Sequence, residues 1–193
     1  MELFRPWVNH AITDGVEAGQ QAIRAREADL GDHVNGWQVT LDMGRYGTRY
    51  AHRAAWTFFG VGGNLIEGAC YPITTTDGNG DPLDSSHRYT LHLDSDGLPP
   101  VNAFWSLTMY DPDTYLVAKA IDRYSLGDRS ELTYADDGSL MLYIQREQPD
   151  GSTETNWPPA PSKGRFKVAL RLYSPKPEVA QGAWQPPPIK RVD

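Results

Sequence analysis

From residue 73 onward the chain reads as short β-type runs, each closed by turn residues, with no helix-length pattern between consecutive runs. Runs separated by helices build parallel βαβ units, whereas runs joined directly by turns build antiparallel pairs. The sharpest run is "GRFKVALRLY". It places Phe166, Val168, Leu170 and Leu172 on one face, and Lys167, Ala169 and Arg171 on a face expected to be wet. In "HRYTLHL", Tyr89, Leu91 and Leu93 alternate with Arg88, Thr90 and His92. "VNAFWSLTMY" is apolar on both faces, as a central strand is, and "TYLVAKA" is placed to pair with it across "DPDT". "ELTYADDGSLMLYIQR" reads as two arms of a hairpin turning at "DDGS". The pattern predicts a mainly β (α+β) chain, an antiparallel β-sandwich with two helices confined to its N-terminal part.

The first helix is expected across "AITDGVEAGQQAIRAREADLG", capped by Thr13 or Asp14 and ended by Gly31, with Val16, Ile23 and Leu30 as its apolar stripe. The second is expected across "TRYAHRAAWTFFG", with Thr48 as cap and Gly60, Gly62 and Gly63 at its end. Tyr50, Ala54 and Phe58, four apart, form its expected packing face. "NWPPAPSKG" and "WQPPPIKRVD" hold too much proline for central strands. The first is read as a rigid loop and the second as a tail strapped over the body. A length of 193 residues fits one compact domain, with residues 1–34 as a helical lead-in and 35–193 as the sandwich.

A net charge of −7 argues against a nucleic-acid surface, which needs clustered Lys and Arg. No apolar run reaches the roughly 20 residues of a spanning helix, so no membrane partner is expected. The N-terminus lacks the basic start and apolar stretch of a signal peptide. Cys70, the single cysteine, forms no internal disulfide and fits a reducing, cytoplasmic setting as a small buried thiol.

No metal and no cofactor is expected. His10, His33, His52, His87 and His92 include no H-x-H pair and no H-E-x-x-H. In "DGNGDPLD", Asp77, Asn79 and Asp81 match the opening of a calcium loop. Pro82 then stands at the glycine position and Arg88 at the bidentate glutamate, so the stretch reads as a solvated turn. Neither G-x-S-x-G nor a phosphate-binding glycine motif occurs, and "GVGGN" follows a helix instead of opening one.

What remains is arginine among aromatics. Arg49 and Arg53, four apart on the second helix, are placed to clamp a carboxylate by forked hydrogen bonds, or else to hold acidic groups of the sheet or face solvent. "IDRYSLGDRSELTY" crowds Asp122, Arg123, Asp128 and Arg129 into one connection. It reads as a structural tie, since turn aspartates often bind their own backbone, with a ligand clamp as the alternative. The ligand-binding candidates are Arg49, Arg53, Trp105, Tyr110, Arg123, Asp128, Arg129 and Trp157. Catalytic residues are not assigned.

The strings "RYAHRAAWTFFGVGGNLIEGACYP", "LPPVNAFWSLTMYD", "RYSLGDRS", "DGSLMLYIQ" and "NWPPAP…GRFKVALRLYSP" together resemble the bacterial family called domain of unknown function 1214, across about residues 35–192. The family form resembles "NWLPAP", so Pro158 departs from it and stiffens that loop. Many members carry a preceding domain, number 1254. The resemblance implies that this chain is a short form without it, lacking what that domain supplies or replacing it by oligomerisation. It also implies a sandwich of jelly-roll type, and no reaction.

Three readings of function follow. The first is a module binding a small anionic or aromatic ligand, as the aromatics Trp37, Tyr71, Trp105, Tyr110, Tyr124 and Trp157 and the arginines suggest. The second is a cofactor-independent hydrolase, lyase or isomerase acting on a small carboxylate-bearing substrate, with Asp111, Asp128, His52 or His87 as acid or base. The third is a structural module forming a homo-oligomer.

Overall fold

The computed structural model of the chain describes residues 5–60, 63–117, 121 and 123–193. Helix α1 (Pro6–Arg24) leads through a 3-10 turn (Glu27–Asp29) to strands β1 (Asp32–Val34) and β2 (Trp37–Val39). Helix α2 (Tyr50–Gly60) precedes β3 (Ala69–Cys70), β4 (Ile73–Thr74), β5 (Tyr89–Leu93), β6 (Val101–Tyr110), β7 (Ser125–Gly127) and β8 (Leu140–Ile144). A second 3-10 turn (Gly151–Asn156), β9 (Lys167–Pro175), the short α3 (Pro177–Ala180) and β10 (Ile189–Arg191) complete the order.

Among the described residues all strand pairs are antiparallel. One sheet runs β1-β2-β4-β9-β6-β7 with β3 also on β9, and a second runs β10-β5-β8. The alternation in β9 sets the core. Val168, Leu170 and Leu172 pair with Met109, Leu107 and Trp105 of β6, and all six are buried on one face. Tyr89, Leu91 and Leu93 of β5 pair with Ile144, Leu142 and Leu140 of β8 and join the same apolar cluster. The outward face of β9 is less wet than its pattern implied: Ala169 is buried, while Lys167 and Arg171 are half-buried. Lys167 donates to the Thr114 hydroxyl and Arg171 to the Tyr110 hydroxyl.

The proline-rich tail straps the body and ends as an edge strand. Trp184 Nε1 donates to the Gly97 carbonyl at 3.0 Å, and the Pro187 carbonyl accepts from Trp37 Nε1 at 2.8 Å. Beyond these prolines β10 pairs with β5. The "NWPPAP" segment is a loop, as expected from its prolines, but residues 156–161 are buried beneath the surface.

The helices are not confined to the N-terminal part, since the short α3 adds a third near the C-terminus, and four further expectations are corrected. Helix α1 starts at Pro6, not at Thr13 or Asp14, because proline is pre-organised for the first turn of a helix. The helix ends at Arg24, well before Gly31. Thr13 donates back to the Asn9 carbonyl inside it, and its stripe is incomplete: Val16 is exposed, and Leu30 lies beyond the helix in a satellite cluster. On α2 the buried residues are His52, Ala55 and Trp56, while Tyr50 and Phe58 face out. Ala55 and Trp56 meet Leu30 and Met43, so the helix turned its other apolar stripe inward.

The fourth correction concerns the hairpin. A turn forms at "DDGS", with Ala135 N donating to the Ser139 carbonyl, but residues 131–134 form no strand and β8 pairs with β5. Asn156 takes the partner's place. Its Oδ1 accepts from Thr133 N and its Nδ2 donates to the Thr133 carbonyl, as a strand backbone would. Of "TYLVAKA", Leu116 bridges to Tyr110, while residues 118–120 lie outside the described residues, as do Gly62 and Asp122.

Candidate functional site

The loop from β2 into α2 carries "TLDMGRYGTRY". Met43, 2% exposed, anchors it in the satellite cluster, and Gly44, at φ 83°, takes the left-handed turn that folds it back. The Thr40 hydroxyl donates to the Leu30 carbonyl and fixes the loop's start against the segment after α1. This brings Asp42 to the first turn of α2. Arg49 Nη2 lies 2.6 Å from Asp42 Oδ2, and His52 Nε2 lies 3.8 Å from Asp42 Oδ1.

These residues wall a cleft of about 900 Å³. Arg49, Tyr50, Ala51 and His52 line it from the start of α2, and Asp42 and Thr48 from the loop. Arg26, Asp29 and Asp32 line it from the segment that leads from α1 into β1. Charges of both signs line it. Beside α2 stand the positive end of a helix and the Arg49 guanidinium paired with Asp42, and toward β1 stand the Arg26 guanidinium and two carboxylates. His52 is only 9% exposed, its ring meets Tyr46 edge-on at 5.8 Å, and its Nε2 has no hydrogen-bond partner.

A smaller chamber of about 260 Å³, mainly apolar but also lined by Gln181 and Gln185, adjoins the cleft, since Asp32, Val39 and Leu41 line both. Cys70, Val179 and Trp184 close its other walls. Burial pushes the Cys70 thiol up to about 12, against a weaker opposing hydrogen bond at the Tyr71 backbone, so it is no nucleophile near neutral pH. The sign of the linkage follows from a raised folded value. The contribution is intact below the ordinary value of 9.0 and is lost as pH rises through it toward 12. Between pH 9 and 10 stability should therefore fall with a slope approaching about 1.4 kcal/mol per unit. Urea unfolding of Cys70→Ala in that interval should lack this increment, and an identical slope in both proteins would contradict it.

Of the arginines and aromatics singled out in the sequence, Arg49 lines the cleft and Arg53 is exposed on α2 beside Tyr50. The others sit on the large sheet and the loops around it. Trp105 is buried in the core, and the Tyr110 hydroxyl accepts from Arg171. Arg123 Nη1 donates to the Glu154 and Trp157 carbonyls at 2.9 and 3.0 Å, and Trp157 Nε1 donates to the Gln145 carbonyl at 2.8 Å. Asp128 Oδ1 accepts from Trp105 N at 3.2 Å, and the Arg129 guanidinium lies 4.1 Å from the centre of the Phe104 ring. Arg123 thus pins the charged connection to the second 3-10 turn. Arg123→Ala should cost about 1.5–3 kcal/mol and the more exposed Asp128→Ala about 0.5–1.5 kcal/mol in urea unfolding. Unchanged unfolding with lost ligand binding would overturn the structural assignment.

Two other acid–base candidates are held locally. Asp111 Oδ1 accepts from Tyr115 N, and His87 Nδ1 lies 3.4 Å from Asp193 Oδ1. Sequence reasoning named Arg49 and His52 but missed Asp42, Arg26, Asp29 and Asp32, which come from separate segments. Among the described residues no group of three or more His, Cys, Asp or Glu is placed to hold a metal, and no helix is long and apolar enough to cross a membrane.

The family described as "Protein of unknown function (DUF1214)" matches residues 68–177, a span that contains Arg123, Asp128 and Trp157 but not the cleft residues. Among solved structures, the VPA0106 protein from Vibrio parahaemolyticus is similar over 100% of this chain, at 27% identity and a TM-score of 0.70. The match takes in 47% of that protein, so this chain spans about half its length. A putative uncharacterized protein from Burkholderia cenocepacia aligns at 15% identity and a TM-score of 0.41, covering 67% of this chain and 31% of that one. No curated protein matches.

Proposed function

Because the chain belongs to the DUF1214 family, whose description names no activity, we propose from its own geometry that it binds a small anionic molecule in the cleft at the start of α2. One observation carries this reading. His52 Nε2 is buried without a hydrogen-bond partner beside a large cleft lined by both polar and apolar groups. Buried polar atoms are nearly always satisfied, so a group entering the cleft gains what the free protein lacks. Asp42 stands 3.8 Å away, too far for a hydrogen bond. Arg49, which Asp42 holds at 2.6 Å, and the positive start of α2 favour an anion beside it. Tyr50, 67% exposed, offers an aromatic face beside them.

Isothermal titration with a panel of small carboxylates tests this. Arg49→Ala should weaken binding about 10- to 100-fold, the loss expected for a charge-assisted hydrogen bond. Arg53→Ala, outside the cleft lining, should leave it within about twofold. Equal affinity of wild type and Arg49→Ala would remove the cleft as the site.

A catalytic reading of the same cleft is favoured by the pairing of His52 with Asp42. A carboxylate that closes on an imidazole orients it as a general base. Hydrolysis, elimination or isomerisation of a small carboxylate-bearing compound by wild type but not by His52→Gln would move the function from binding to catalysis. Absence of turnover in wild type would leave binding alone.

A further inference from the structure

Resting on that reading, we infer that the ligand is an amphiphile: a carboxylate head at the α2 end of the cleft and a short apolar body in the adjoining chamber. The two hollows share Asp32, Val39 and Leu41 in their linings, so they adjoin across these side chains, and one ligand that displaces them reaches from the cleft into the chamber. Val39 and Leu41 are half-buried, neither sealed into the core nor free in solvent. The chamber they share with Cys70, Val179 and Trp184 has no cationic side chain in its lining, and its amides, Gln181 and Gln185, are neutral, so it holds no countercharge for a carboxylate. The thiol there is neutral, because burial disfavours its thiolate.

Charge fixes the direction. Asp32 stands where the hollows meet and repels a carboxylate from the chamber mouth. The lining cations, Arg26 and Arg49, border the cleft and not the chamber, Arg49 with Asp42 at 2.6 Å beside the start of α2, so a carboxylate finds its countercharge in the cleft alone. A reversed ligand would bring its anion to Asp32 and its apolar body among charged side chains. Size fixes the length. At about 30 Å³ per water-sized group, 260 Å³ accommodates roughly eight heavy atoms. Medium-length aliphatic or single-ring carboxylates fit this limit, and long-chain fatty acids exceed it.

The test is a chain-length series of acetate, butanoate, hexanoate, octanoate and dodecanoate, titrated calorimetrically into the whole chain. Affinity should rise about fourfold per added methylene, equivalent to about 0.8 kcal/mol, and level off once the chamber is full. Leu41→Trp, which fills the shared wall, should move that plateau to shorter chains. Arg49→Ala should weaken every member equally. A length-independent series that still depends on Arg49 overturns the amphiphile while leaving anion binding in place. A length dependence unaffected by Leu41→Trp also overturns it, by placing the apolar body elsewhere. No binding by any carboxylate removes the anion reading itself. The wild-type series decides the matter even if Leu41→Trp fails to fold.

Discussion

Trp37→Ala is expected to cost about 3–5 kcal/mol, a large share of the roughly 5–15 kcal/mol that a domain has in total. Trp37 is fully buried in β2 and belongs to the core cluster shared by both sheets. Its indole N–H also holds the Pro187 carbonyl, two residues before β10 begins. Truncation therefore leaves a cavity and frees the strap that leads into the edge of the small sheet. The midpoint of thermal unfolding should fall by about 6–20 °C. Trp37→Phe keeps most of the volume but not the N–H, so it should lose less and separate packing from the tail bond. If Trp37→Ala unfolds within about 1 kcal/mol of wild type, the core is not closed through this residue.

Gly127→Ala is the second large effect. Gly127 ends β7 and pairs with Ser106 of β6. A Cβ added there would stand 2.1 Å from the Trp105 carbonyl oxygen and 3.0 Å from Ser106 Cα, both of them backbone. A backbone in the middle of a ladder has no rotamer with which to step aside, so β7 must lift from β6. The cost should reach at least about 2–3 kcal/mol, and amide protons of β7 should exchange faster than in wild type. Unchanged exchange in β7 would mean that the close approach is not maintained in solution.

Both effects concern the part of the fold that alternation makes visible. In β5 and β9 every second side chain is large and apolar, and a shift of one residue would expose the whole set. The failures have equally specific causes. Helix α2 carries two apolar stripes, Tyr50–Ala54–Phe58 and His52–Ala55–Trp56–Phe59. Which one turns inward depends on Leu30 and Met43, far off in sequence. The hairpin at "DDGS" has the right turn residues, but the Asn156 side-chain amide occupies the edge of its first arm. No strand propensity encodes that substitution.

The candidate site divides in the same way. Arg49 is visible as an arginine beside a helix start. His52 is visible as one of five histidines, without any sign that its ring is the buried one. Asp42 cannot be told from the other acidic residues until the left-handed turn at Gly44 folds the loop back. In the charged stretch at residues 121–134, Arg123 donates to two backbone carbonyls and Asp128 accepts from one backbone N–H. These bonds are what a connection needs in order to hold its path, and they favour the tie over the clamp.

The cleft at the start of α2 is tested most directly by nuclear magnetic resonance of the isotope-labelled chain titrated with hexanoate. Saturable shifts at the amides of Arg49, Tyr50, Ala51 and His52, together with the His52 ring, are the predicted result. No saturable shift at these positions, or shifts confined to Arg123, Asp128 and Arg129, would contradict it and return the search to the charged connection on the large sheet.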